Sequence, residues 1–341
     1  MINDEMISKK LDKIFSNYPE TDELKDLYQE VEADVRESAQ HLLDSKKETD
    51  SEKAVEQAIK DLGDLNEPIK LADEAVLGKE TNEYQYSVTQ IKTINLKASF
   101  GDVKIYPSKD DQLHIHQFQR PKSKSYRLKI DKSGNILNLV IPKPDWFSLK
   151  SLFIHPRSLV KIAIPKQFQG GLNLNDQAGS LNIEDLHSLG QIKINVKSGV
   201  VNFKNIYSDK IICKINSGTM NLNHIKTIFD LSIHAGTISG KNLSGAGNFS
   251  VETGTIKLDW LKLAGDITLI EKTGTIKSVQ TSTQNFAFKL QSATGTVKIK
   301  RSNINYELKA IGAAIGKTGF TNTNALPLIS CKVDSGTIKL A

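Results

Sequence analysis

The feature that most constrains this chain is a glycine that returns at Gly179, Gly199, Gly218, Gly236, Gly254, Gly274, Gly295 and Gly336. The intervals are 20, 19, 18, 18, 20 and 21 residues, and the last, 41, reads as two periods with a degenerate copy around residues 312–316. Each glycine is set in the same pattern: apolar, polar, apolar, polar, a small residue, Gly, usually Thr, then apolar, polar, apolar. Alternation with period two marks a strand with one buried face. One such repeat cannot bury its apolar face alone. Repeats of this length therefore predict a solenoid, one turn per repeat, each turn covering the next.

Side-chain parity explains the glycine. In the copy Cys331, Val333, Ser335, Gly336, Thr337, Ile338, Leu340, the inward set is expected to run 331, 333, 335 and to resume at 338 and 340. Parity shifts by one at the Gly-Thr step, which needs a bend or bulge, and glycine has the backbone freedom for it. Phe249, Val251, Ile256 and Leu258 fit the same columns, as do Leu231, Ile233 and Ile238.

Upstream the pattern changes. Ile2, Met6, Ile7, Leu11, Ile14 and Phe15 recur at helical intervals, and Pro19 ends the run. Leu24, Leu27, Tyr28, Val31, Val35, Leu42 and Leu43 form the stripe of a second helix, with Thr21 as its N-cap. Thr49 and Glu52 have capping-box spacing before Val55, Ala58, Ile59 and Leu62, and Pro68 suits the first turn of a last helix carrying Ile69, Ala72 and Val76. Between helices and repeats, Phe100-Gly101-Asp102-Val103 is already one copy of the corner, residues 126–130 and 136–141 predict a hairpin, and residues 159–165 a further strand. The expected fold is α plus all-β. A small helical bundle occupies residues 1–80, an irregular β region 81–168, and a parallel β-solenoid 169–341.

Charge follows the same division. Of the 39 acids and 45 bases, 22 acids and 11 bases fall within residues 1–80, leaving 17 acids and 34 bases in the remainder, so the net of +6 splits into −11 and +17. Two modules with different partners, two that attract each other, or simply an acidic helical unit beside a lysine-rich β surface all fit that split. Residues 1–12 hold Asp4 and Glu5 and no signal-like apolar run, and no stretch approaches the roughly 18 apolar residues of a membrane span. The expected location is the cytoplasm, at most peripheral to the inner face of the membrane, with surface exposure as the alternative.

The helical stretch, ending in Leu62-Gly63-Asp64 before its last helix, resembles the HAAS domain, a bacterial signalling module. That resemblance implies a protein partner and no catalysis. Residues 97–341, with the Gly101-Asp102-Val103 corner, the strand Val160-Lys161-Ile162-Ala163-Ile164-Pro165-Lys166 and the serial Ser/Thr-Gly-Thr-apolar-Lys corners, resemble the LiaG-like "putative adhesin" family of bacterial β-repeat proteins. The family brings no catalytic residues to carry over.

Several chemistries are tested by spacing. Gly316-Lys317-Thr318 lacks a phosphate loop's glycine five positions earlier, where Ile311 stands, so no nucleotide is expected. The acids of the repeats, among them Glu184, Asp185, Glu252, Glu271 and Asp334, fall in different columns, so no enzyme site is expected. His114 and His116 alternate on one strand face, without the two further ligands a zinc site would need, and read as a surface pair. Cys213 and Cys331 share an inward column six turns and roughly 29 Å apart, as buried free thiols. Metal and cofactor are expected to be absent.

Two contact surfaces remain. Three residues after the corner glycine, Lys104, Lys257, Lys277, Lys298 and Lys339 point outward, with Asn182, Asn202, Asn221 and Ser239 between. Lys257, Lys277 and Lys298 are expected on consecutive turns, as a cationic ladder for an anionic polymer or membrane surface or as a solvated face that blocks edge pairing. Trp146, Phe147, Leu149, Leu152, Phe153 and Ile154 form either a lid over the solenoid's end or a docking patch. Together these features predict a non-enzymatic scaffold in envelope-stress signalling that binds a protein through its helical module; the alternative is a surface adhesin recognising an anionic polymer or glycan. Nucleic acid is not an expected partner.

Overall fold

A computed structural model describes residues 4–15, 22–45, 48–62, 82–120, 127–143, 157–319 and 326–341. The chain divides into two compact units, Met1–Lys79 and Glu80–Ala341.

The first unit contains α1 (Asp4–Phe15), α2 (Asp22–Asp44) and α3 (Ser51–Asp61). Their apolar stripes meet in a core of Ile7, Leu11, Val31, Val35, Ala39, Ala54, Val55 and Ala58, as amphipathic helices require. Phe15 packs edge-on against Tyr28 at 5.2 Å, and the Tyr28 hydroxyl donates to Asp12 at 2.8 Å. Lys10 bridges to Glu56 at 2.6 Å and Glu52 at 3.3 Å, joining α1 to α3. The cap of α3 is Asp50 rather than Thr49: its carboxylate accepts the Glu52 amide at 2.8 Å. A carboxylate at this position also favours the positive end of the helix dipole. Gly63, Asp64 and the helix expected from Pro68 lie outside the described residues.

The second unit is mostly strand: β1 (Asn82–Ser87), β2 (Thr93–Ala98), β3 (Asp102–Pro107), β4 (Gln112–Arg120), β5 (Lys129–Ser133), β6 (Ile136–Ile141), β7 (Arg157–Ile164), β8 (Gly171–Glu184), β9 (Leu189–Gln280), β10 (Ala287–Ile299), β11 (Ile304–Lys309), β12 (Ala313–Thr318) and β13 (Leu328–Leu340). β5 and β6 form the expected hairpin around Gly134, whose φ is +58°. β1, β4 and β7 pair antiparallel, while β2 and β3 run parallel to successive parts of β8 on either side of the Gly101 corner.

The corner glycines stack directly on one another. Those from Gly179 to Gly336 have φ between +143° and +148°, where a side chain is strained. A Cβ on Gly199 would fall 2.1 Å from the Gly179 carbonyl oxygen, and one on Gly254 1.8 Å from that of Gly236. Backbone approaches backbone too closely for any other residue. In the final copy the residues after Gly336 fall as expected, with Ile338 and Leu340 buried, but Ser335 is exposed. The inward set therefore skips from Val333 to Ile338, because the corner turns two residues outward rather than one.

The last repeats depart from chain order. β13 lies between the end of β9 and β10, parallel to both: Gly336 pairs with Gly274 on one side and Gly295 on the other. Residues 312–316 are not a degenerate turn. Residues 313–316 belong to β12, which runs antiparallel to β10 and to β11. Cys213 and Cys331 are consequently four glycine steps apart, through Gly236, Gly254, Gly274 and Gly336, or about 19 Å at strand spacing. Both are buried and free. Burial pushes the thiol of Cys331 up to about 12 and that of Cys213 higher still.

Candidate functional site

The register of the strands lines up polar side chains in rows that cross the whole domain. The longest begins at Glu83 on β1 and passes through His116 on β4, Lys161 on β7, Lys104 on β3, Asn182 on β8 and Asn202 on β9. Asn221 continues it, donating to Asn202 at 2.8 Å as Asn202 donates to Asn182 at 2.8 Å. Stacked amides of this kind satisfy one another along the row. Lys104 is paired with Glu184 at 2.7 Å.

The far end of the row is cationic. Lys277 pairs with Lys339, and Lys339 with Lys298, so Lys298 is not adjacent to Lys277 as expected: the inserted β13 places Lys339 between them. Equal offsets from the stacked Gly254 and Gly274 put Lys257 beside Lys277. All four lysines are exposed, and among the described residues none meets a carboxylate within ion-pair distance.

On the other side of the corner a second set of amides forms ladders. Asn173 donates to Asn95 at 3.0 Å, Asn95 to Asn138 at 2.8 Å, and Asn195 to Asn175 at 3.0 Å. They floor an open cleft of about 700 Å³ edged by Lys97, Lys193 and Asp131. A neighbouring cleft of about 410 Å³ continues along Gln177, Lys197, Lys214 and Asn216. Among the described lining residues amides and ammonium groups predominate, with Asp131 in one cleft and Asp176 in the other, a composition suited to hydroxyl-rich or anionic ligands.

Three features were not found by reading the repeat. Asp185, Asn205, His224 and Asn242, at φ of 57°, 53°, 55° and 55°, build a second left-handed corner six residues after the glycines. Asn205 donates to Asp185 at 2.7 Å along it. Their intervals of 20, 19 and 18 copy the glycine spacing, and Asn, Asp and His are the residues that tolerate this conformation. Glu271 and Asp176 both occupy the inward position three residues before a corner glycine, which elsewhere in the repeats holds Val196, Ile215, Ile233, Val251, Ser292 and Val333. The acids thus share a column after all, but stand five turns apart and do not converge.

Burial raises both. Among the described residues neither carboxylate oxygen of Glu271 has a hydrogen-bond partner; its pKa is pushed up to about 7 by desolvation, against a smaller lowering by the nearby Thr275 amide, which lies outside bonding geometry. Asp176 accepts the Ala178 amide at 3.2 Å with one oxygen, and desolvation of the other takes it to about 6. The apolar segment with Trp146, Phe147, Leu152 and Phe153 lies outside the described residues.

Residues 91–341 match the Toastrack family of DUF4097 domains, and the chain belongs to that family. No curated protein matches it. Solved structures similar to it include a "putative adhesin" from Bacteroides fragilis, 17% identical with a TM-score of 0.45, over 76% of this chain and 96% of that one. Another "putative adhesin", from Parabacteroides distasonis, is 14% identical with a TM-score of 0.43, over 77% and 98%. A "putative lipid binding protein" from the same species is 14% identical with a TM-score of 0.38, over 76% and 96%.

Proposed function

We propose that this chain is a non-enzymatic binding scaffold of the bacterial cell envelope, built as a HAAS-like helical module joined to a LiaG-like parallel β-solenoid. The helical module engages a protein partner in envelope-stress signalling, and the solenoid presents a polar face to an anionic surface. One observation carries the reading: Lys257, Lys277, Lys339 and Lys298 stand side by side without a carboxylate among them. Ammonium groups on adjacent strands, about 4.8 Å apart, repel one another, and an anionic partner is what offsets that cost. The reading places the protein in the cytoplasm at the inner face of the membrane, where anionic headgroups are concentrated. A surface adhesin binding an anionic polymer would use the same lysines, and protease treatment of intact cells separates the two locations.

The direct test measures binding to vesicles of anionic and of neutral lipid, and to a polyphosphate-type polymer, at low and moderate salt. Wild type should bind the anionic partners with affinity that falls steeply with salt. Changing Lys277, Lys339 and Lys298 together to Gln should abolish that binding while leaving the fold intact. Equal binding by wild type and the triple variant removes this row as the site.

A further inference from the structure

The same row that ends in lysines begins in a cluster of different chemistry. β4 presents His114 and His116 on one face, their rings parallel within 11° and 6.1 Å apart. The antiparallel pairing of β1 with β4 sets Glu83 directly across from His116. From the sequence the two histidines lacked further ligands, because Glu83 is more than thirty residues away in the chain and reaches them only through this strand pairing. The ring nitrogens of both histidines and the Glu83 carboxylate now offer three donor atoms, all within 4.8 Å of one another.

A fourth residue decides which nitrogen of His114 can act. Nε2 lies 2.8 Å and 3.0 Å from the two carboxylate oxygens of Asp110. Asp110 also accepts the Gln112 amide at 2.9 Å and the Ser108 hydroxyl at 2.9 Å, so it serves as an acceptor throughout. An ionised carboxylate only accepts hydrogen bonds, so Nε2 must carry the proton. In the neutral ring Nδ1 is then the lone pair, and Nδ1 faces Glu83 Oε1 at 4.0 Å. A histidine whose second nitrogen donates to a carboxylate is the usual arrangement of a metal ligand. Lys161, the next residue of the row, leans over the Phe118 ring, 4.9 Å from its centroid.

We propose that Glu83, His114 and His116 bind one divalent transition-metal ion through two imidazoles and a carboxylate, with Asp110 as the positioning residue that fixes the His114 tautomer. Imidazole and carboxylate together select a borderline ion such as zinc over magnesium or calcium. Two donors each about 2.1 Å from a shared ion lie at most about 4.2 Å apart. Glu83 Oε1 and His114 Nδ1 are already 4.0 Å apart, and small side-chain rotations on the open sheet surface bring all three donors, now within 4.8 Å of one another, to that span. Solvent completes the coordination, since three side chains on a sheet surface leave open positions.

Calorimetric titration of the full chain with zinc chloride tests this. Wild type should bind one equivalent saturably, with magnesium unable to compete, and zinc should raise the melting temperature. His114→Gln with His116→Gln, and separately Glu83→Gln, should lose that equivalent and the thermal shift while melting as wild type does without metal. Asp110→Asn should weaken zinc ten- to a hundredfold. Absence of a saturable equivalent in wild type, or its survival in both sets of ligand variants, overturns the site. An unchanged affinity in Asp110→Asn overturns the tautomer assignment.

Discussion

The stretch from Gly179 to Gly274 and the stretch from Ala287 to Leu340 are written in nearly the same repeat, yet they stack differently. In the first, each turn lies on the turn before it in the chain. In the second, the last strand is inserted beneath the one that precedes it. The corner sequences Gly274-Thr275-Ile276-Lys277, Gly295-Thr296-Val297-Lys298 and Gly336-Thr337-Ile338-Lys339 are almost interchangeable. A repeat of this kind specifies where a residue sits within a turn and leaves open which turn is its neighbour. Burial decides that. β13 supplies Ile329, Cys331, Val333, Ile338 and Leu340, all at 1% exposure or less, whereas Val297 and Ile299 of β10 are only partly covered. The more apolar strand takes the interior place and the less apolar one takes the end, where β12 covers half of it.

Removing residues 328–341 is the severest way to break this comparison. If turns followed chain order, the deletion would peel off a terminal strand and leave β10 protected against the Gly274 turn. With β13 inserted, it strips both neighbours of their shared partner and removes five buried apolar side chains together with the burial they give the facing strands, a loss on the order of 10 kcal/mol. Hydrogen exchange should then show residues 287–318 unprotected while residues 171–250 keep their protection. Retained protection over 287–299 would mean that the inserted order is wrong.

The junction between the two stretches also carries the buried acid. Glu271 ends the inward column of the regular stretch and pairs with Val333 of the inserted strand. Its pKa is raised from 4.5 in a free chain to about 7 in the fold, so the folded state holds a proton that the unfolded state releases. Its contribution is therefore most favourable below about pH 4.5 and is lost as pH rises to about 7. Over that window the change is about 3 kcal/mol. Glu271→Val, matching Val251 and Val333 beside it, should be more stable than wild type by roughly this amount at pH 8 and nearly equal to it near pH 4.5. Urea unfolding at the two pH values gives the answer. The variant should keep the smaller dependence of the same sign from Asp176, between about pH 4 and 6. A uniform effect of the substitution at all pH values would show that Glu271 is not buried as a neutral acid.

These cases mark what the sequence could reveal. The corner glycines, the hairpin at Gly134 and the outward lysine column were legible because each depends on local parity and spacing, which the chain writes out in order. The insertion of β13, the meeting of Glu83 with His114 and His116, and the place of Lys339 between Lys277 and Lys298 depend on pairings between strands far apart in the chain. Asp176 and Glu271 are intermediate. Their inward position follows from counting three residues before the glycine, but an acid in an apolar column looks like surface until its neighbours are known.

The smallest effect compares the two halves of the outward row. Lys104 and Lys339 both stand three residues after a corner glycine, Lys104 half-buried and Lys339 exposed. Lys104 has Glu184 at 2.7 Å, while Lys339 has a lysine on either side. Gln removes the charge and shortens the apolar stem from four methylenes to two in both variants, so the opposite signs and their response to salt report the electrostatic part. Lys104→Gln should lower stability by up to about 1 kcal/mol, the range of a surface ion pair. Lys339→Gln should raise it by a few tenths to about 1 kcal/mol, because like charges directly opposite on a sheet are unfavourable. Salt must shrink both effects, since the charges are exposed and the Debye length at 0.15 M is about 8 Å. Thermal melts at low and at 0.5 M salt read out the two signs and their convergence. If Lys339→Gln destabilises at low salt, the lysines are not repelling one another, and the argument that they await an anion loses its physical basis.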